Sequence, residues 1–332
     1  MSEGIKQVES VGVAALTHHG GRVDQAALEY PDAPQPWLDL STGINPLPWA
    51  PSAPLQLELG RLPTSSELEN LEDAVAAYFG VPADHLAAVP GTEIALRLLG
   101  TLDLAGPHQH VAPGYRTHGE AFTDSVAIDL PDAATWSGTL LFANPNNPTG
   151  RLLPREQVLA LAGGGWLIID EAFADCTPAA SVAPTLPERT IVLRSFGKFF
   201  GLAGVRLGFV IAPPDILQQL RRLLGDWPVS ALAIAYGTAA YRDAAWIAAT
   251  RTALGEAAGA MDAVLARHGF DVLGDCPLFR LIDAGDAAAL FDRLARHGVL
   301  TRPFDYMPSW LRLGLPGSAE ALARLDRALA DG

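Results

Sequence analysis

Between residues 86 and 212, short apolar runs alternate with stretches of helical spacing, and that alternation constrains the fold more than any other feature of the chain. Runs of strand length stand at 86–89, 109–112, 125–130, 139–143, 166–169, 190–196 and 205–212. Helical stretches at 92–101, 154–162 and 214–224 lie between several of them. Short runs that are apolar throughout belong to strands buried on both faces, and the intervening helices supply the cover. The pattern predicts an α/β domain built on a parallel or mixed sheet. Ahead of it, Ser66 and Glu69 have the spacing of a capping box. Leu68, Leu71, Val75 and Phe79 then recur at helical spacing, which predicts a helix over 67–80.

The alternation changes near residue 241. An Ala-rich helical stretch at 243–268 is followed by strand-like runs at 270–274, 278–283, 299–304 and 310–315, with helical stretches at 286–297 and 318–330. This predicts a smaller α+β domain. The first residues are irregular and rich in Gly, Pro and His. The expected organisation is an N-terminal arm over 1–34, a large domain over 35–240 and a small domain over 241–332. A length of 332 residues suits a large domain plus a smaller one.

The net charge of −14 argues against a nucleic-acid or anionic-membrane partner, so an anionic ligand would need a local group of cations. No apolar run reaches membrane-spanning length. Cys176 and Cys276 show neither pairing nor metal spacing, and the N-terminus lacks a signal-peptide layout. These features predict a cytoplasmic protein with no metal site. Of 23 basic residues, 21 are Arg and only Lys6 and Lys198 are Lys. Lys6 lies in the arm. Lys198 lies in a Gly- and Phe-rich segment, where the kind of cation matters, because a primary amine forms an imine and a guanidinium does not.

Ligands of open α/β sheets collect at the carboxyl ends of strands, so the segment after each strand carries the chemistry. Asp170-Glu171 follows the run at 166–169; it is either a solvated strand-end charge or a partner for a metal, a nucleotide or a pyridinium nitrogen. A nucleotide-phosphate loop is excluded, because the one Gly-Lys pair, Gly197-Lys198, continues with Phe199. Ser195-Phe196-Gly197-Lys198-Phe199-Phe200-Gly201 follows the run at 190–196, with Arg206 eight residues beyond the lysine. An amine among Phe and Gly can be neutral and nucleophilic, and Ser195 and Arg206 flank it as phosphate donors. Asn144-Pro145-Asn146-Asn147-Pro148-Thr149-Gly150 is a rigid turn that also offers the Asn147 amide. Gly91-Thr92-Glu93 opens a helix, either as an ordinary cap or as an anion site.

These four segments, in this order, resemble the aspartate-aminotransferase superfamily, fold type I of the pyridoxal-phosphate enzymes. The resemblance extends over roughly residues 19–316. It implies a mostly parallel seven-stranded sheet with a smaller α+β domain, a homodimer, and pyridoxal 5′-phosphate as cofactor. It further implies that Lys198 holds the cofactor as an imine and shuttles protons, and that Asp170 pairs with the pyridine nitrogen. Asn147 would bond the ring hydroxyl, Gly91, Thr92, Glu93, Ser195 and Arg206 would form the phosphate site, and His118 would stack on the ring. Two positions depart from the family pattern. Phe173 stands where a Tyr is common, which leaves Asn147 without a phenol beside it. Leu62 replaces the Tyr that reaches the neighbouring subunit's phosphate, with Arg61 as the nearest substitute.

Within the superfamily the chain is similar to the branch holding histidinol-phosphate aminotransferases and the threonine-phosphate decarboxylases of cobalamin biosynthesis, and more so to the latter. The resembling pieces are His19-Gly20-Gly21, Asp39 to Leu47, Trp227 to Ser230, and the tail from Arg302 to Pro316. They imply a small phosphorylated amino-acid-like substrate bound by His19, Gly43, Asn45, Arg302 and Arg312. An aminotransferase pins the substrate carboxylate in the cofactor plane with an arginine. A decarboxylase turns the carboxylate out of plane and frees that arginine for a phosphate. The expected reaction is decarboxylation of L-threonine O-3-phosphate. The alternatives are amino transfer from histidinol phosphate or a related donor, and a non-catalytic ligand-binding relative.

Overall fold

The computed structural model describes Leu16, residues 19–131 and residues 135–331. Most of the first 18 positions of the expected arm, Lys6 among them, lie outside the described residues. In chain order the strands are β1 (Leu38–Asp39), β2 (Leu86–Val89), β3 (His108–Val111), β4 (Val126–Ile128), β5 (Gly138–Ala143), β6 (Gly165–Asp170), β7 (Thr190–Ser195), β8 (Gly208–Ile211), β9 (Val272–Leu273), β10 (Phe279–Asp283), β11 (Val299–Leu300), β12 (Arg302–Phe304) and β13 (Met307–Gly314). The α-helices are α1 (Val23–Glu29), α2 (Ser65–Phe79), α3 (Thr92–Leu99), α4 (Arg116–Glu120), α5 (Arg155–Leu159), α6 (Phe196–Phe199), α7 (Pro214–Leu224), α8 (Ala231–Arg242), α9 (Ala244–Arg267), α10 (Ala287–Arg296) and α11 (Ala319–Ala330).

The chain divides into two compact units. The larger holds Ile44–Glu256 and Gly274–Leu278; the smaller holds the N-terminal residues up to Gly43, Ala257–Leu273 and Phe279–Gly332. The expected break at 240/241 therefore moves. Residues 241–256 stay with the larger unit because the Tyr241 ring, 4.7 Å from that of Phe200 and 5.5 Å from that of Phe209, is part of its aromatic core.

The larger unit carries a seven-stranded sheet in the order β2-β8-β7-β6-β5-β3-β4. Strand β8 runs antiparallel to both neighbours, and the pairs from β7 through β4 are parallel. The sheet is thus mostly parallel, as expected, with a single reversed strand. Leu96, Leu99, Leu217 and Leu220, from α3 and α7, pack on Ile168 and Leu193 of the sheet in one buried cluster. The central strands β5 and β7 are buried at every residue, which is why their middles read as apolar runs.

Helix α2 is capped by Thr64, not Ser66. The Thr64 hydroxyl accepts from the Glu67 N–H while the Glu67 carboxylate accepts from the Thr64 N–H, so the capping box lies two residues earlier than expected. In the smaller unit β12, β13, β10 and β9 form an antiparallel sheet in that order, and β1 pairs in parallel with β11. Leu290, Phe291 and Leu294 of α10 are buried in this unit.

Candidate active site

The strand registers of the larger unit bring the sequence motifs to one edge of the sheet. Ala143 of β5 lies opposite Asp170 of β6, and Asp170 lies opposite Leu193 of β7. Ser195 and Val89 both pair with Gly208 of the reversed strand β8. The turns that follow β2, β5, β6 and β7, and the turn that precedes β8, therefore meet at this edge.

Gly91 sits at φ +95° and caps α3, whose first intrahelical bond runs from the Ala95 N–H to the Gly91 carbonyl. The N–H groups of Thr92, Glu93 and Ile94 precede that bond and form the helix's anion-binding end. Arg206, at φ +58°, is bent into the left-handed region. A Cβ added at Gly91 would lie 2.7 Å from the Arg206 Nη2, so only glycine admits this close approach. One added at Gly208 would lie 3.0 Å from the Thr92 nitrogen. Ser195 caps α6 with its hydroxyl not spent on a cap bond. This cradle of a guanidinium, a helix N-terminus and two hydroxyls fits a phosphate monoester.

Asp170 is 6% exposed. Its Oδ1 accepts from the Ala172 N–H at 3.0 Å, and its Oδ2 lies 3.1 Å from the His118 Nε2. His118, expected to stack on the cofactor ring, is completely buried and directs its Nε2 to Asp170. Its Nδ1 is buried without a hydrogen-bond partner. Tyr115, half-buried and T-shaped to His118 with ring centroids 5.7 Å apart, is the aromatic ring at this edge that keeps some exposure.

The Tyr115 hydroxyl donates to Glu93 Oε2 at 3.0 Å, and Thr117 donates to the same oxygen at 2.8 Å. The Glu93 side chain, expected in the phosphate site, is thus directed to these hydroxyls and to Arg97, and only its backbone N–H remains in the cradle. Burial works against its charge, yet the bonds from Thr117, Arg97 and Tyr115 hold its carboxyl below the usual range.

Lys198 lies on α6, half-buried, with its Nζ 5.6 Å from the centroid of the Phe173 ring. The turn is anchored from both sides. Phe196, Phe199 and Phe200 are fully buried, and the Phe200 ring stacks on Trp246. Asn45 donates its backbone N–H to the Lys198 carbonyl and its Nδ2 to the Phe199 carbonyl, both at 2.9 Å, while its Oδ1 accepts from the Leu47 N–H. Asn45, expected on the substrate, spends its carboxamide on the lysine turn.

Asn147 is half-buried on the β5 loop. The Asn146 carboxamide accepts from the N–H and hydroxyl of Thr149 and donates to the Pro113 carbonyl, which shapes the loop from inside. The Asp275 N–H donates to the Gly150 carbonyl at 2.9 Å, a contribution from the far end of the chain that no local motif signals.

Sequence reasoning also passed over the support behind the strand ends. Arg194 reaches Glu171 Oε2 at 2.6 Å and Asp175 Oδ1 at 2.9 Å, and all three side chains are buried. No local pattern signals it, because Glu171 and Asp175 lie in the segment that follows β6 and meet Arg194 of β7 only through the pairing of those two strands.

In the smaller unit, Arg302 and Arg312 are direct cross-strand partners on β12 and β13, so their side chains share one face. Arg312 is 8% exposed and donates from Nη2 to the Ser41 carbonyl at 2.9 Å. The Gly21 N–H donates to the Ser41 hydroxyl at 2.7 Å, which fixes the His19-Gly20-Gly21 turn beside it. His19 itself is exposed, and Gly43 is buried at the end of this segment. Arg61, considered as a substitute for the missing Tyr, forms a bidentate pair with Glu67 instead. Among the described residues no group of three or more His, Cys, Asp or Glu is placed to hold a metal ion.

The sheet topology together with this cradle defines a fold type I pyridoxal-phosphate enzyme, and the chain belongs to the aminotransferase class I and II family, which it matches over residues 123–329. Its relatives point more narrowly. It is 40% identical to a threonine-phosphate decarboxylase of Sinorhizobium sp, over 94% of this chain and 97% of that one. It is 39% identical to a threonine-phosphate decarboxylase of Pseudomonas aeruginosa, over 95% and 97%. Its fold is similar to that of the histidinol-phosphate aminotransferase of Sinorhizobium meliloti solved with pyridoxal 5′-phosphate, with a TM-score of 0.71, 22% identity and 82% of each chain covered.

Proposed function

We propose that this chain binds pyridoxal 5′-phosphate and decarboxylates L-threonine O-3-phosphate to (R)-1-amino-2-propanol O-2-phosphate and CO2, the reaction of cobalamin biosynthesis, as a cytoplasmic homodimer. The family and the two decarboxylase relatives support the reaction. The observation that carries the choice of substrate is the Arg302–Arg312 pair. Two guanidinium groups on one face of the sheet supply planar donors that match the oxygens of a phosphate monoester.

When bound, the cofactor supplies an electron sink for the pair left on Cα as CO2 departs. The residues do the rest. Lys198 provides the amine that attaches the cofactor and returns a proton to Cα. Asp170 keeps the pyridine nitrogen protonated, and His118 holds Asp170 in place through its Nε2. Tyr115 offers the ring face, Asn147 the amide for the ring hydroxyl, and Gly91, Thr92, Ser195 and Arg206 hold the cofactor phosphate. Arg302 and Arg312, with His19, bind the substrate phosphate.

The test is CO2 release by holoenzyme from threonine phosphate with no amino acceptor present. Arg312→Lys keeps the charge but loses the planar donor pair, and should cut kcat/KM by at least about tenfold. If CO2 is not released, and amino transfer from histidinol phosphate to 2-oxoglutarate occurs and is lost in Arg312→Lys, then Arg312 clamps a carboxylate and the enzyme is an aminotransferase.

A further inference from the structure

Among the described residues, the hydrogen bonds of one guanidinium in the smaller unit all go to backbone carbonyls. Arg324 of α11 donates from Nη1 to the Pro36 carbonyl at 2.6 Å. Its Nη2 reaches the carbonyls of Pro34 at 2.9 Å, Gly298 at 2.9 Å and His297 at 3.0 Å, and its Nε reaches His297 at 3.3 Å. No carboxylate is among these partners, although acids outnumber bases in the chain. Burial and the nearby Arg327 disfavour its charge, so the side chain is held there at some cost. What it gains is geometric: a planar fork joins two turns more than 250 residues apart, at 34–36 and 297–298.

The 34–36 turn leads straight into the segment that meets Arg312. Leu38 donates its N–H to the Gly298 carbonyl at 2.8 Å, Leu40 to Leu300 at 2.7 Å, and Gly314 to Leu40 at 2.6 Å. Residues 38–40 are thus stitched to β11 on one side and to the end of β13 on the other. Ser41 comes next. Its N–H and hydroxyl are turned onto Asp39 Oδ1, at 2.9 and 2.5 Å, which directs its carbonyl to the Arg312 Nη2 at 2.9 Å. A continuous set of bonds therefore runs from Arg324 through residues 34–41 to the Arg312 guanidinium, all within one unit.

We infer that Arg324 is a positioning residue for the substrate's anionic group, acting through residues 34–41 on Arg312; the inference rests on the reading that Arg312 binds that group. An ammonium is a point donor on a flexible stem and cannot hold the carbonyls of both turns in one fixed geometry. A small misplacement of a binding guanidinium lowers substrate affinity without touching the cofactor.

The experiment uses holoenzyme carrying Arg324→Lys. KM for threonine phosphate should rise about tenfold with kcat within about twofold of wild type, and inorganic phosphate should weaken as a competitive inhibitor by a similar factor. The absorption spectrum of the bound cofactor and its dissociation constant should not change. If that variant does not fold, Arg324→Gln, which keeps a planar donor, is read in the same way. The inference is overturned if KM and phosphate inhibition are unaffected, or if cofactor affinity falls in parallel, which would mark a general structural role. Arg312→Lys in the same assay separates the two levels. Failure of Arg312→Lys to raise KM sinks the substrate reading itself, whereas an effect in Arg312→Lys without one in Arg324→Lys sinks only the clamp.

Discussion

Arg206 holds a left-handed backbone conformation that costs a non-glycine residue of order 1–3 kcal/mol. The surroundings maintain it because its guanidinium then lies against Gly91. Gly91→Ala should therefore strike the cradle twice, by forcing a side chain into φ +95° and by placing a methyl 2.7 Å from Arg206 Nη2. The expected outcome is cofactor affinity down by at least about tenfold, read by fluorescence titration of cofactor-free protein, with the circular dichroism of the fold retained. Unchanged affinity would mean that the phosphate lies elsewhere. The motif residues Lys198, Asp170, Asn147 and Arg206 were legible in the sequence because their spacing is set by strand-end turns, which are local. The different partners of Tyr115 and His118 were not, because Tyr115 caps α4 and bonds Glu93 whereas His118 lies inside the helix and meets Asp170, and both partners are distant in sequence.

Helix α2 shows how much one element does outside the active site. At its start, Arg61 and then the Thr64 N–H hold the Glu67 carboxyl down at about 2. A carboxyl depressed in the folded state contributes stability that is present above its ordinary value of 4.5 and is lost as pH falls toward about 2. Glu67→Gln should thus lower the urea midpoint at neutral pH, and the gap from wild type should close between those two values. A gap that stays constant with pH would exclude the carboxylate as its source. Further along, Glu72 accepts from the Ala88 N–H at 2.8 Å while Arg221 donates to the Leu86 carbonyl at 2.7 Å. These bonds cover the outer edge of β2, which would otherwise offer itself to another strand. The strands and long helices were legible from periodicity. Short elements such as α1, α4 and β1 were not, since they are fixed by tertiary partners rather than by their own pattern.

At the scale of the molecule, the cofactor cradle belongs to one compact unit and the paired arginines to the other. Ligands should therefore leave separate footprints in hydrogen exchange. Pyridoxal phosphate added to cofactor-free protein should slow exchange at the start of α3 and over 195–206, leaving 302–314 as they were. Threonine phosphate added to holoenzyme should slow exchange over 38–42 and 302–314. Protection of 302–314 by the cofactor alone would contradict this assignment. The two-domain organisation was legible in the change of pattern near 241. The return of residues 274–278 to the larger unit was not, because it depends on backbone bonds to Gly150 that carry no side-chain signature.

The placement of Lys198 on α6 has a consequence for the rest of the surface. The cofactor is an aldehyde, and it condenses with any accessible primary amine. A protein studded with lysines collects such adducts at random and has to compete with itself for its own cofactor. Here the surface cations are guanidinium groups almost throughout, and these do not form such adducts. Apart from the chain's own N-terminus and Lys6, the aldehyde has one amine to find, and it is the one beside Phe173.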